Sequence, residues 1–400
     1  MVETRASIDR QSNLFLALYT LAWIGGFIAY VPLLAVLLPA RVSDISGTDA
    51  VSWLAYISFV GAVAASLANI GFGWLSDLIG SRRAISAVGL GLSCILLVLT
   101  GTVDRLSSLL VLITLWQLSL NMMLAPLAAW AGDCVPDSQK GLLGGLLSIA
   151  PAIGAMAGTF VTLPGLANGQ ERLWLVALIV VLCVLPVLIF GRPRHFPDLL
   201  HSPVDEVSAL TKKPGLSNEA LRMWLSRLLI QITEAALFAY LLLWLRSLSE
   251  AFSDNDTAWV YSLVLLAGIP IAVFAGRWAD QQNRPVLPLC LCAAAVSAGL
   301  LLMGAAWDLT SALAGYILFG IAGTVFLSLH SAQTLRFLPS PERRGRDLGI
   351  FNLTNTVPAL IMPWLTLALV PVFGFSALFY LLAFFAAIAF FILFTMPRRS

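Results

Sequence analysis

Glu234 lies deep inside an apolar stretch of this 400-residue chain, and the first question is what chemistry it can perform there. The run that holds it begins near residue 221, which places Glu234 roughly 20 Å by helical rise into a hydrocarbon layer about 30 Å thick. Arg227 and Gln231 share its helical face, so the three form one polar stripe on an otherwise apolar helix. Charged groups at such depth are costly, and function or a fixed pairing keeps them there. Two readings follow: a static Arg227 and Glu234 ion pair that sets helix packing, or a carboxyl that exchanges a proton or touches a solute. Neutral polar groups recur in other apolar runs, namely Tyr30, Gln117, Asn121, Ser148, Asn352 and Asn355. Each either bonds a neighbouring helix or, together with the others, forms a neutral polar wall. His330, near the end of the tenth run, is either a satisfied interface residue or a titrating group. Trp23 and Trp244 are the tryptophans placed to reach such a wall; the others mark interfacial belts.

A second constellation sits at a helix end. Gly73-Trp74-Leu75-Ser76-Asp77-Leu78-Ile79-Gly80-Ser81-Arg82-Arg83 closes the second apolar run, and Gly276-Arg277-Trp278-Ala279-Asp280-Gln281-Gln282-Asn283-Arg284 closes the eighth. Gly73 and Gly276 are expected to let a neighbouring helix approach, while Gly80 and Asn283 suit a tight turn with positive φ. Asp77 at a helix C-terminus meets the negative end of the macrodipole, so a basic partner must compensate it, and Arg82 and Arg83 are within reach. A clasp made in one conformation and broken in another would be a state-dependent latch. A second, looser repeat sets Val135-Pro136 and Lys140-Gly141 against Leu338-Pro339 and Arg343-Arg344-Gly345.

The elements that must carry these groups follow from composition. Hydrophobic residues make up 59% of the chain and charged ones 11%, more apolar surface than one soluble core can hide. Every long apolar run is expected to be a helix, because no unpaired backbone is tolerated in hydrocarbon. Twelve runs are legible, at about 14–39, 53–76, 84–103, 109–132, 141–163, 173–191, 221–245, 257–279, 286–306, 309–330, 347–371 and 374–396. The first lacks a small-residue cleavage site and is expected to be a retained helix. The stretch 191–220, rich in Pro and charged residues, divides an N-terminal six-helix bundle, 1–190, from a C-terminal one, 221–400. Alternate loops contain only Arg41, Arg105, Arg172 and Arg246, whereas most other basic residues lie on the opposite side, which places both termini in the cytoplasm.

Several function classes are disfavoured. A net charge of +2 gives no nucleic-acid surface. The five cysteines show neither zinc spacing nor a disulfide framework, so no metal is expected. Metalloprotease, serine-hydrolase and phosphate-loop motifs are missing from the sequence; no cofactor and no enzymatic activity are expected.

The glycine, aspartate and arginine pattern at residues 73–83 resembles the loop motif of the major facilitator superfamily, which runs Gly, any, Leu, Ala, Asp, Arg, any, Gly, Arg, then Arg or Lys. Gly73, Leu75, Asp77, Gly80 and Arg82 match; Leu78 and Ser81 stand where arginines are usual. The resemblance covers nearly the whole chain. It implies an all-α membrane protein of twelve transmembrane helices in two pseudo-symmetric six-helix bundles, a monomer moving a small-molecule substrate between them by alternating access. It also implies that Asp77 and Arg82, with Arg83 nearby and Asp280 and Arg284 in the second copy, help hold a cytoplasmic gate. Protons are the expected coupling ion, the bilayer the solvent and the bacterial inner membrane the location. Ala150-Pro151-Ala152-Ile153-Gly154-Ala155 is similar to a signature of drug and metabolite antiporters. Asn121–Pro126 and Gly349–Pro358 are similar to segments of sugar and glycoside symporters, and a receptor or scaffold on the same fold is a further alternative.

Overall fold

The computed structural model describes residues 10–194, 218–281, 286–337 and 344–396, without the side chains of 48, 137, 138, 140, 141, 280 and 331–352. Among these residues every regular element is helical, as apolar runs in hydrocarbon require. The helices are α1 (Asn13–Pro32), α2 (Leu38–Ser46), α3 (Ala50–Ile79), α4 (Arg82–Leu99), α5 (Leu106–Cys134), α6 (Asp137–Leu147), α7 (Ala150–Val161) and α8 (Gly169–Phe190). After them come α9 (Asn218–Leu248), α10 (Asp254–Gln281), α11 (Leu287–Gly304), α12 (Leu309–Phe337) and α13 (Arg344–Phe394).

Three local features depart from the expected boundaries, and each has a backbone cause. Ser12 caps α1 by accepting from the Phe15 N–H at 3.2 Å, but the helix does not stop near residue 39. It passes through a π-helical turn at Leu33–Leu37, directly after Pro32, and continues as α2 to Ser46. A proline removes a backbone donor and crowds the preceding turn, and a wide turn relieves both effects. The fifth apolar run divides into α6 and α7, with Pro151 in the first turn of α7. Its missing N–H cannot bond back to Leu147, so the ladder restarts there. In the third case Leu353–Phe394 forms a helical stretch of 42 residues that contains Gly374 at φ 75°, ψ 176°, outside helical geometry. Eleven helical stretches among the described residues are long and apolar enough to cross a membrane, counting this one once.

The chain forms two compact units, one from Met1–Leu34 and Val60–Val204, the other from Ala35–Phe59 and Asp205–Ser400. In the first, α4 packs along α5, and α1 along α7 and α8. In the second, α9 packs along α13, α11 along α12 and α13, and α10 along α12. Each unit contains a crossing that only a glycine permits. A Cβ on Gly89 of α4 would fall on the Met123 backbone of α5, and one on Gly299 of α11 would lie 2.6 Å from the Phe319 nitrogen of α12.

One end of the first unit is tied by side-chain amides. Gln11 donates its backbone N–H to Gln139 Oε1 at 2.5 Å, and Gln139 returns a bond to the Gln11 carbonyl at 3.3 Å. The Gln11 amide also donates to the Cys134 carbonyl at 2.8 Å and accepts from the Arg194 N–H at 3.0 Å. This joins the start of α1, the α5–α6 connection and the exit from α8, so the charged groups at that end sit on a fixed frame.

Because the two glycine crossings leave no room for a branched side chain, Gly89→Val and Gly299→Val are each expected to destabilise the protein by roughly 1–3 kcal/mol. Thermal unfolding of purified protein in detergent checks this, and unchanged midpoints would contradict the close approach.

Candidate functional site

The polar stripe on α9 is present, but its pairing is not the static one. Arg227 Nε donates to Thr354 Oγ1 at 3.1 Å, Nη2 to Asn355 Oδ1 at 3.4 Å, and Nη1 lies 3.5 Å from His330 Nδ1. Gln231 Nε2 donates to the same Asn355 oxygen at 2.7 Å. His330 is fully buried, and its Nε2 lies 2.9 Å from the Met223 carbonyl. That contact assigns the proton to Nε2 and leaves Nδ1 to accept from Arg227. None of these bonds reaches Glu234, so an Arg227–Glu234 ion pair is not what holds α9 in place. The helix is held instead through Thr354, Asn355 and His330, of which sequence reasoning missed Thr354.

Glu234 lies two helical turns from Arg227 and packs against α12. Its Oε1 is buried and has no hydrogen-bond partner among the described residues. The carboxyl rests on Gly323, where any Cβ would collide with it. Tyr316 on the same helix is close enough for electrostatic interaction with Glu234 and with Tyr261 of α10, and Tyr261 packs edge-on to Phe238 of α9 at 6.1 Å. Gly323 carries no sequence motif that would have singled it out. Trp244 belongs to the core, edge-on to Phe379 at 4.7 Å, and Trp23 stacks on Tyr19 at 6.4 Å. The side chain of Asn352 lies outside the described residues.

The first unit brings together a different set. Asn121 of α5 donates to the Gln117 carbonyl at 2.9 Å, and its Oδ1 accepts from Asn69 Nδ2 of α3 at 3.4 Å. Gln117 is 6% exposed, its Oε1 is buried with no partner among the described residues, and its amide nitrogen faces Gly61. Asn69, which the sequence analysis passed over, joins two of the predicted residues. Tyr30 is half-buried near the end of α1, and Ser148 bonds the Gly145 carbonyl at 2.7 Å inside the α6–α7 break.

At the α3–α4 turn Gly80 has φ 70°, the positive value the spacing predicts. Arg82 is the hub. It pairs with Asp77, donates Nε to Asp133 Oδ2 at 3.0 Å, and reaches Ser76 Oγ at 2.5 Å and the Gly73 carbonyl at 3.4 Å. Two expectations need correction. Arg83 does not help with Asp77; it donates to the Gly191 carbonyl and lies 5.8 Å over the Trp130 ring, because it points to the opposite side of α4. Gly73 has open space where a Cβ would go, so no helix among the described residues packs on it, and it offers its carbonyl to Arg82. Asp133, at the end of α5, was not anticipated. In the second copy a Cβ on Gly276 would lie 3.3 Å from Leu329, which fits close helix approach. Asn283, Arg284 and the side chain of Asp280 lie outside the described residues.

The side chain of Arg82 is 19% exposed, against 60% for Asp77 and 36% for Asp133. Exposed ion pairs contribute little, so the arginine that compensates two carboxylates should matter more than either partner. Arg82→Gln is expected to destabilise by about 1–2 kcal/mol, more than Asp133→Asn and much more than Asp77→Asn. Thermal unfolding of the three variants checks the order, and equal losses would contradict a shared hub.

Comparison with known proteins bears on this helical architecture. The Major Facilitator Superfamily model matches residues 223–400. The nucleoside transporter NupG is similar in structure, with a TM-score of 0.69 at 15% identity over 96% of this chain and 100% of that one. The human organic anion transporter MFSD10 (TETRAN) gives 0.65 at 16%, covering 94% and 98%. A POT family transporter in complex with 5-aminolevulinic acid gives 0.72 at 13%, covering 95% of each chain. No curated protein matches in sequence. At these identities the structural likeness is one of fold. The family model covers the C-terminal 178 residues, and over the rest of the chain the likeness is to the fold these transporters share.

Proposed function

We propose that this chain is a proton-coupled secondary active transporter that moves a small organic solute by alternating access. The observation that carries the proposal is Glu234 Oε1, buried at mid-helix with no hydrogen-bond partner among the described residues. An ionised carboxylate buried without a partner is costly, so a carboxyl in this position carries its proton while enclosed and releases it when water or solute reaches it. Such an exchange is the elementary act of proton coupling, and Arg227 and Gln231 lie within two turns of it on α9, both bonded to Asn355 of α13. Tyr30 and Asn352 complete the candidate set.

In this reading Gly374 separates two spans within Leu353–Phe394, which makes twelve in all. An even number returns the chain to the side it started from, and the positive loops make that side the cytoplasm of a bacterial inner membrane. The Arg82 hub with Asp77 and Asp133 is the latch that opens and closes with the cycle, and a single chain is the working unit, without nucleic-acid partners.

Proton flux in liposomes containing purified protein, driven by added solutes, tests the proposal. Glu234→Gln should abolish gradient-driven accumulation while leaving solute exchange, and an unaltered pH dependence of uptake in that variant would sink the assignment. Gly323→Ala is expected to push the carboxyl from its seat and lower coupled uptake roughly tenfold, at a stability cost within about 1 kcal/mol. Full uptake by Gly323→Ala would show that the seat does not matter.

A further inference from the structure

The first unit differs from the second in the chemistry it sets at mid-helix. Each charged residue in its helices lies near a helix end: Asp77, Arg82, Arg83, Asp133, Asp137, Lys140, Glu171 and Arg172. Side-chain amides hold the middle, with Gln117 and Asn121 on α5 and Asn69 on α3. Their bonding is incomplete in a specific way. Gln117 Oε1 is a buried acceptor with no partner among the described residues, in a residue only 6% exposed. Asn121 uses one N–H on the Gln117 carbonyl and its oxygen on Asn69, which leaves its second N–H. Asn69 is exposed and uses one N–H, which leaves its other N–H and its oxygen.

An orphaned buried acceptor carries a penalty that a ligand donor removes. The cluster therefore presents one acceptor that needs a donor beside donors that need an acceptor. A carboxylate or phosphate can only accept, and would face Gln117 Oε1 unfavourably; an ammonium can only donate, and would face the asparagine N–H groups. A hydroxyl does both, and neighbouring hydroxyls on one ring do so twice over. The two bonds of Asn121 fix its orientation, and interchanging the oxygen and nitrogen of Gln117 would put a donor in place of the orphaned acceptor, which a hydroxyl oxygen meets equally well.

We propose that Asn69, Gln117 and Asn121 form a subsite for a hydroxylated ring, so that the solute is a neutral, hydroxyl-bearing molecule of glycoside or nucleoside type. The inference rests on the transport reading but not on proton coupling. Asn69 acts here as a specificity-determining residue.

Equilibrium binding by calorimetry on purified protein in lipid nanodiscs tests it, with sucrose and uridine as the two hydroxylated probes and succinate and ethidium as ionic ones. At least one of sucrose and uridine should bind, and which of them binds separates the glycoside from the nucleoside. Asn69→Ala and Gln117→Leu should each weaken that binding about tenfold. The deoxy analogue lacking the contacted hydroxyl should bind wild type about tenfold more weakly and lose nothing further in the variants. Asn69 is exposed, so Asn69→Ala reports even where Gln117→Leu does not fold. Binding of the ionic probes alone, binding of neither sucrose nor uridine, or undiminished affinity in Asn69→Ala would overturn the proposal. Because no gradient is applied, these outcomes are independent of the liposome result for Glu234→Gln.

Discussion

Inside hydrocarbon a backbone N–H or carbonyl without a partner costs several kcal/mol, and the layout of this chain follows from meeting that cost locally. Helices satisfy it residue by residue. Where a proline breaks the ladder, the chain answers with a π-helical turn after Pro32 and a fresh helix start at α7. The same constraint explains why polar side chains within the helices bond backbone carbonyls, as Asn121 does on its own helix at Gln117 and His330 does across to Met223 of α9. It also makes the exceptions informative. Glu234 and Gln117 each keep a buried oxygen with no partner among the described residues, and each faces a glycine on a neighbouring helix of its own unit.

Much of the fold was legible because apolar length is a strong signal. The runs read at about 84–103 and 109–132 became Arg82–Leu99 and Leu106–Cys134 with small shifts at their ends. Boundaries failed where a single backbone group decides them. The first helix overran its apolar run because the polar turns up to Ser46 still satisfy their own backbone. The site was legible in its residue types and less so in its pairings. Periodicity put Arg227, Gln231 and Glu234 on one face, but only the packing of α9 against α12 and α13 shows that Arg227 turns to Thr354, Asn355 and His330. Asp133 and Asn69 escaped notice because their partners lie on other helices, Arg82 on α4 and Asn121 on α5, and no local spacing announces such pairs.

The two units thus divide the chemistry. In the first, charge stays at the helix ends, where Arg82 joins Asp77 and Asp133, and neutral amides hold the middle. The second places a carboxyl and a guanidinium two turns apart on one helix. In the proposed transport cycle the neutral amides recognise the solute and the carboxyl carries the proton. That division suits a carrier whose solute has no charge of its own, since the charge that moves is then the proton's.

Infrared difference spectroscopy on the purified protein in lipid tests the central claim most directly, by following the carbonyl stretch of a protonated carboxyl as pH or solute concentration is changed. The account predicts a band that responds to both and is missing in Glu234→Gln. A spectrum with no carboxyl band that depends on Glu234, or one whose band ignores solute and pH alike, would contradict it.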